Sequence, residues 1–132
     1  MGFNNRALQQ ISNLTNVDWT NETGSVRHQG ICGACYALVP VQNLEFLLAK
    51  YVYPSMYLEL SAQQIVDCDF GLSLGCEGGY FEGAFNFMQI HGVSANFAYP
   101  YQSGMTGVAN ACKKQTGRFK IKRYQSLPSG NC

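Results

Sequence analysis

Gln29-Gly30-Ile31-Cys32-Gly33-Ala34-Cys35-Tyr36 leads directly into a helix-patterned apolar run from Ala37 to Tyr51. In that run Ala37, Val41, Leu44 and Leu48 fall at i, i+4, i+7 and i+11, the stripe of a helix that faces a core. The pattern predicts a central, largely buried helix with Cys35 in its first turn. A cysteine attacks as its thiolate, and a thiol just inside a helix N-terminus meets unpaired N–H groups and the positive end of the macrodipole. Gln29 lies six residues earlier, on a glycine-containing loop that has to turn into the helix. Its side-chain amide can therefore point back at the helix start. A side-chain donor and the Cys35 backbone N–H aimed at one spot form an oxyanion hole for acyl transfer.

Further along, Val17-Asp18-Trp19 precedes this stretch, and Leu60-Ser61-Ala62-Gln63-Gln64-Ile65-Val66-Asp67-Cys68, Gly75-Cys76-Glu77-Gly78-Gly79 and Tyr99-Pro100-Tyr101 before Cys112 follow it. With Cys32-Gly33-Ala34-Cys35-Tyr36, these motifs in this order resemble the papain-like cysteine peptidases, cathepsin L-like, whose local signature is C-G-[SA]-C-[WY]. The resemblance runs over residues 17–128 and implies an α+β papain-like fold. It covers the mainly α left-hand domain, with a long central helix starting at the nucleophile and a short C-terminal strand leading to a right-hand domain. It further implies Cys35 as nucleophile, Gln29 in the oxyanion hole, and disulfides Cys32–Cys76 and Cys68–Cys112. Gly33, Gly78 and Gly79 then contact the substrate backbone, because glycines let a peptide approach and pair with a loop's own N–H and C=O groups. Tyr80 and Phe81 would wall the pocket for the second residue before the scissile bond, favouring an apolar or aromatic side chain.

The cysteines allow two other readings. C-x-x-C is also a thioredoxin-like redox pair, but that motif follows a buried strand, and Ser25-Val26-Arg27-His28-Gln29 is too polar for one. Zinc on Cys32, Cys35, Cys68 and Cys76 needs short spacings within each pair, whereas seven residues separate Cys68 from Cys76. No metal and no cofactor is expected.

The composition fits one globular domain: 46% of the 132 residues are hydrophobic and 13% charged, far from a disordered balance. Residues 1–112 carry three Lys/Arg against all eight acids, a balance of −5, and residues 113–132 carry the other six bases, +6. That basic end alternates in Arg118-Phe119-Lys120-Ile121-Lys122-Arg123-Tyr124, the pattern of a half-exposed strand, so its charges are read as a solvated face and no nucleic-acid partner is expected. No run is long and apolar enough to span a bilayer, so no membrane partner is expected. Six cysteines in so short a chain favour an oxidising compartment, and two sequons, Asn13-Leu14-Thr15 and Asn21-Glu22-Thr23, agree with a secretory route, lysosomal or secreted. The start, Met1-Gly2-Phe3-Asn4-Asn5-Arg6, has no apolar h-region, which leaves the expectation that a signal and a propeptide are not part of these residues.

In chain order, residues 1–16 read as a lead segment, and Trp19, the one tryptophan, as a core anchor. His28 reads as a surface loop residue, since its short segment is already given to Gln29. Pro40 interrupts the helix run, cannot donate to the Tyr36 carbonyl, and predicts a kink near the nucleophile. Ser61 with Gln64 three residues on reads as a capping box, and Leu60 can staple onto Ile65. Phe81, Ala84, Phe85 and Met88 predict a helix over 80–91 closed by Gly92, with His91 a charge partner for its C-terminus. Residues 129–132 read as a junction, where Cys132 is left without a partner.

A papain-like peptidase needs a histidine and an asparagine about 130–150 residues after its cysteine, and this chain runs 97 residues beyond Cys35. The reading is a cysteine endopeptidase domain, acting on peptide or protein substrates, that depends on a right-hand domain for both groups and is inactive alone. That domain would be a partner, disulfide-linked through Cys132. The other reading is a noncatalytic peptide-binding or structural module on the same fold.

Overall fold

The computed structural model describes residues 16–54 and 56–130. The expectations for Asn13, the rest of the lead segment and Cys132 fall outside those residues. Helix α1 spans Cys35–Tyr51, α2 Ala62–Cys68, α3 Phe81–Ile90 and the single-turn α4 Ser103–Thr106, with short 3-10 turns at Thr20–Glu22 and Gly75–Glu77.

The α1 stripe does what its spacing predicts. Ala37, Val41 and Leu44 are buried and Leu48 packs against the same cluster, which brings α2 and α3 onto α1. Leu60, Ile65, Val93 and Met88 complete a core with no solvent contact at any of them. Burying each such aliphatic side chain contributes about 1.5–3 kcal/mol, an upper estimate against a compact unfolded chain. Pro40 lies inside α1 and is buried. The helix continues through it without a break.

Ser61 caps α2 by accepting the Gln64 N–H at 3.0 Å. The reciprocal half of the expected capping box is absent. The Ser61 N–H goes to the Ser94 carbonyl, and the Gln64 side chain instead accepts from the Ser94 N–H and donates to the Lys114 carbonyl, each at 2.8 Å. Burial explains the change: every residue of α2 is buried, so its polar groups must satisfy neighbouring loops as well as their own helix end.

Helix α3 ends as predicted, with Gly92 at φ +75° and its N–H on the Phe87 carbonyl. Its buried face is Gly83, Ala84, Phe87 and Met88, so the expected stripe has rotated. Phe81 is 47% exposed and Phe85, half-buried, stacks on Tyr124 at 5.0 Å.

The expected C-terminal strand is corrected. Phe119 and Val93 exchange both N–H···O bonds, at 2.9 and 3.0 Å, in an isolated antiparallel bridge, and Leu60 forms another with Ala95; no longer ladder occurs among the described residues. Residues 118–124 do alternate between exposed and half-buried as their sequence requires. They lack a partner of matching length, because α3 occupies the stretch before His91 and the chain after Ala95 turns away. A strand needs a neighbour as well as a pattern.

Trp19 is likewise not a core anchor. It is 40% exposed, set edge-on to Phe46 at 6.1 Å and covered on one face by the Lys50 ammonium 3.6 Å from its ring centre.

Candidate active site

Cys35 is the first residue of α1, and its thiol is free and exposed. The cap residue Ala34 offers only backbone: its carbonyl takes the N–H groups of Ala37 and Leu38 at 3.0 Å each. The Cys35 N–H makes no hydrogen bond with any described residue, so it remains an orphan donor of the helix start.

Two loops are tied to that start. Cys32 and Cys76 form a disulfide, and beside it the Gly33 N–H donates to the Cys76 carbonyl at 2.9 Å. A Cβ on Gly33 would lie 2.7 Å from that carbonyl oxygen, so this close approach needs glycine. The Tyr36 hydroxyl spans the same gap, donating to the Gly75 carbonyl at 2.8 Å. Burial, with the Asp69 charge second, pushes the Tyr36 phenol up to about 12. A second disulfide, Cys68–Cys112, fastens α2 to the later chain.

Gln29 is held by its backbone. Its carbonyl accepts the Tyr101 hydroxyl at 2.7 Å, and the Ile31 N–H donates to the Gly104 carbonyl at 2.9 Å. Gly30 between them has φ +68°, and a Cβ there would sit 2.1 Å from the Gly104 oxygen. Only glycine fits. The Gln29 side chain is exposed and makes no hydrogen bond with a described residue, which leaves its amide available.

In the glycine loop, Gly78 gives its carbonyl to the Leu74 N–H, while its missing side chain faces open space. Gly79 lies against the Tyr36 ring and keeps both its N–H and its C=O unbonded among the described residues. Tyr80, at 66% exposure, and Phe81 follow on the open side. The two histidines are elsewhere in their roles: His28 is an exposed loop residue and His91 caps the end of α3 with its ring 5.0 Å from Phe87. No described side chain hydrogen-bonds to the Cys35 thiol.

Sequence reasoning missed what steadies the Gln29 loop. Arg27 pairs with Glu45 of α1 at 3.1 Å, a charge contact without a linear hydrogen bond, and gives a hydrogen bond to the Leu60 carbonyl at 2.9 Å. Glu45 is wholly buried and also accepts from the Tyr57 hydroxyl and the Leu60 N–H, each at 2.6 Å. Desolvation raises its carboxyl above the usual carboxylate range, against the pull of Tyr57, Leu60 and Arg27. The one available signal was an acid flanking the Ala37–Val41–Leu44 stripe. A second network, Gln63 to Asp67 and Ser103 with Asp67 accepting from Tyr99 at 2.8 Å, locks α2 to the turn behind Gln29.

The profile of the papain family cysteine proteases matches residues 14–131. A viral cathepsin of Choristoneura fumiferana nuclear polyhedrosis virus is 35% identical over 108 residues, 80% of this chain and 31% of that protein. Chymopapain of Carica papaya is 34% identical over 118 residues, 88% of this chain and 32% of that protein. Among solved structures, digestive procathepsin L 3 of the Tenebrio molitor larval midgut superposes with a TM-score of 0.74 at 28% identity, covering 87% of this chain and 37% of that one. The chain thus spans about a third of the length of the curated relatives it matches. With its Cys-Gly-Ala-Cys-Tyr helix start and the loops that brace it, the chain belongs to the papain family of cysteine proteases, of which it carries the N-terminal, left-hand domain.

Proposed function

We propose that this chain supplies the nucleophilic half of a cysteine endopeptidase. The observation that carries the reading is Cys35: a free, exposed thiol at the first position of α1, whose own N–H is unbonded and whose flanks are fixed by Cys32–Cys76 and the Gly30 turn. In this reading the Cys35 thiolate attacks the scissile carbonyl. The resulting oxyanion accepts from the Cys35 N–H and the Gln29 amide, and collapse releases the amine and leaves a thioester that water hydrolyses. The free N–H and C=O of Gly79 pair with the substrate backbone, Gly33 and Gly78 keep the groove floor open, and Tyr80 and Phe81 receive an apolar side chain.

The imidazole that takes and returns the proton, and the asparagine that orients it, come from a right-hand domain; neither His28 nor His91 serves. Residues 17–128 form the left-hand domain and 129–132 lead toward that partner, with Cys132 as its disulfide link. The two disulfides support an oxidising setting, secreted or lysosomal. The test is complementation. The chain alone should not cleave a fluorogenic peptide, and adding the right-hand domain of the viral cathepsin should restore cleavage. Cys35→Ser should abolish that signal and Gln29→Ala should lower kcat by about 10²–10³. The alternative is a noncatalytic peptide-binding module, with which a Cys35 thiol that bonds to no described side chain is equally compatible. That reading predicts peptide binding, unchanged in Cys35→Ser, and no cleavage with any complement.

A further inference from the structure

The Thr20–Glu22 turn is built more firmly than a surface connection needs. Asp18 caps it, accepting from the Thr20 N–H at 2.9 Å and the Thr20 hydroxyl at 2.7 Å, bonds that hold its carboxyl below the usual range. Glu22 closes the other side as an ion pair with Lys50 at 2.6 Å. The same Lys50 ammonium covers one face of Trp19, and Phe46 meets that ring edge-on. Trp19 is therefore held in place with much of its surface still in water. Between the capping acid and the ion pair stands Asn21. It is exposed, and its side-chain amide bonds to no described residue.

Asn21-Glu22-Thr23 is an N-glycosylation sequon, and the aromatic ring lies two residues ahead of its asparagine. We infer that Asn21 is an N-glycan acceptor and that Trp19 is the platform on which the first sugar rests. The donor class is an oligosaccharide carried on a polyprenyl diphosphate. The bond from the anomeric carbon to the diphosphate oxygen breaks as the bond to the Asn21 amide nitrogen forms. That nitrogen gives up one proton to the transferase, and the lipid diphosphate leaves. A pyranose presents an apolar C–H face, which suits an aromatic ring that is fixed and half in water. Two disulfides place folding where such a transferase works.

The position also leaves the Cys35 groove open. Lys50, which anchors this turn, lies 15 residues along α1 from Cys35, roughly 22 Å at the helical rise. A glycan at Asn21 projects from the opposite end of that helix.

Translation of the full chain behind a fused signal sequence, in the presence of microsomes, tests the acceptor before folding can intervene. Asn21→Gln and Thr23→Ala should each remove one endoglycosidase-sensitive mobility step that Asn13→Gln leaves in place. Unchanged mobility in Asn21→Gln overturns the site. The platform is read on secreted protein, comparing chains trimmed to the first sugar with chains freed of it by amidase. Removing that sugar should lower Tm by roughly 2–5 °C in the parent, by less in Trp19→Phe, and not at all in Trp19→Leu. An equal drop in the parent and in Trp19→Leu overturns the platform and leaves the acceptor standing.

Discussion

Tyr36 shows how one atom ties a signature residue to the glycine loop. Its hydroxyl holds the Gly75 carbonyl while its ring backs Gly79. Tyr36→Phe should cost about 0.5–1.5 kcal/mol for that bond, measured by urea unfolding at neutral pH. A phenol raised to about 12 favours the protonated form in the folded chain, so its stabilising share is complete below the ordinary value near 10 and is lost as pH climbs toward 12. Tyr36→Phe should therefore lose less stability than the parent between those values. Arg27 and Glu45 give the second residue-scale case. The Glu45 carboxyl is raised, so stability falls as pH rises from the ordinary carboxylate value through the raised one. Arg27→Met removes the one cation paired with it among the described residues. The variant should lose about 3–5 kcal/mol near pH 7 and recover part of that on acidification, as Glu45 takes its proton; equal losses at both pH values would count against the ion pair. The sequence made the placement of Cys35 at the helix start, and of the Gln29 loop and the glycine loop around it, readable because each sits in a short local pattern. It hid the Arg27–Glu45–Tyr57 cluster, whose members come from three separate stretches and match no spacing rule.

At the scale of elements, the Ser61 cap marked where α2 starts, and periodicity located α1 and α3 to within a residue or so, since each buries a face whose spacing is written in the chain. It misplaced what depends on a neighbour: the strand at 118–124, the α3 face that turns inward, and Trp19, which rests on the end of α1. Pro40 lies within α1. The helix absorbs it, so Pro40→Ala should regain a donor for the Tyr36 carbonyl and stabilise by about 1 kcal/mol, once lost ring burial and the looser unfolded chain are set against it. Calorimetry checks the sign. The Cys32–Cys76 bridge joins the α1 start to the glycine loop, elements that meet otherwise through the Gly33 and Tyr36 bonds. Replacing both cysteines with alanine should cost about 2–4 kcal/mol in unfolding free energy. It should also speed amide exchange at Gly33 by more than in α3, and uniform acceleration would show that the bridge has no local role.

For the molecule as a whole, the exposed apolar side chains are the feature to explain. Val39, Leu47, Tyr80 and Phe81 are exposed, and a pocket of about 190 Å³ between α1, α3 and residues 121–126 adds Leu44, Phe85 and Tyr124 to the apolar lining. These side chains should bind an environment-sensitive apolar dye, and the double variant Leu47→Ser, Phe81→Ser should bind markedly less; an undiminished signal would place the sticky surface elsewhere. The two disulfides also have a consequence in connectivity. Each bridges a sequence separation of 44 residues, and the two closed stretches, 32–76 and 68–112, overlap between Cys68 and Cys76. Sever the backbone anywhere from 33 to 111 and at least one bridge still joins the two ends. Two cuts, one in α1 and one in α3, leave three pieces that remain a single molecule. The chain can thus be nicked in any one of its loops over that span and stay whole until its sulfurs are reduced.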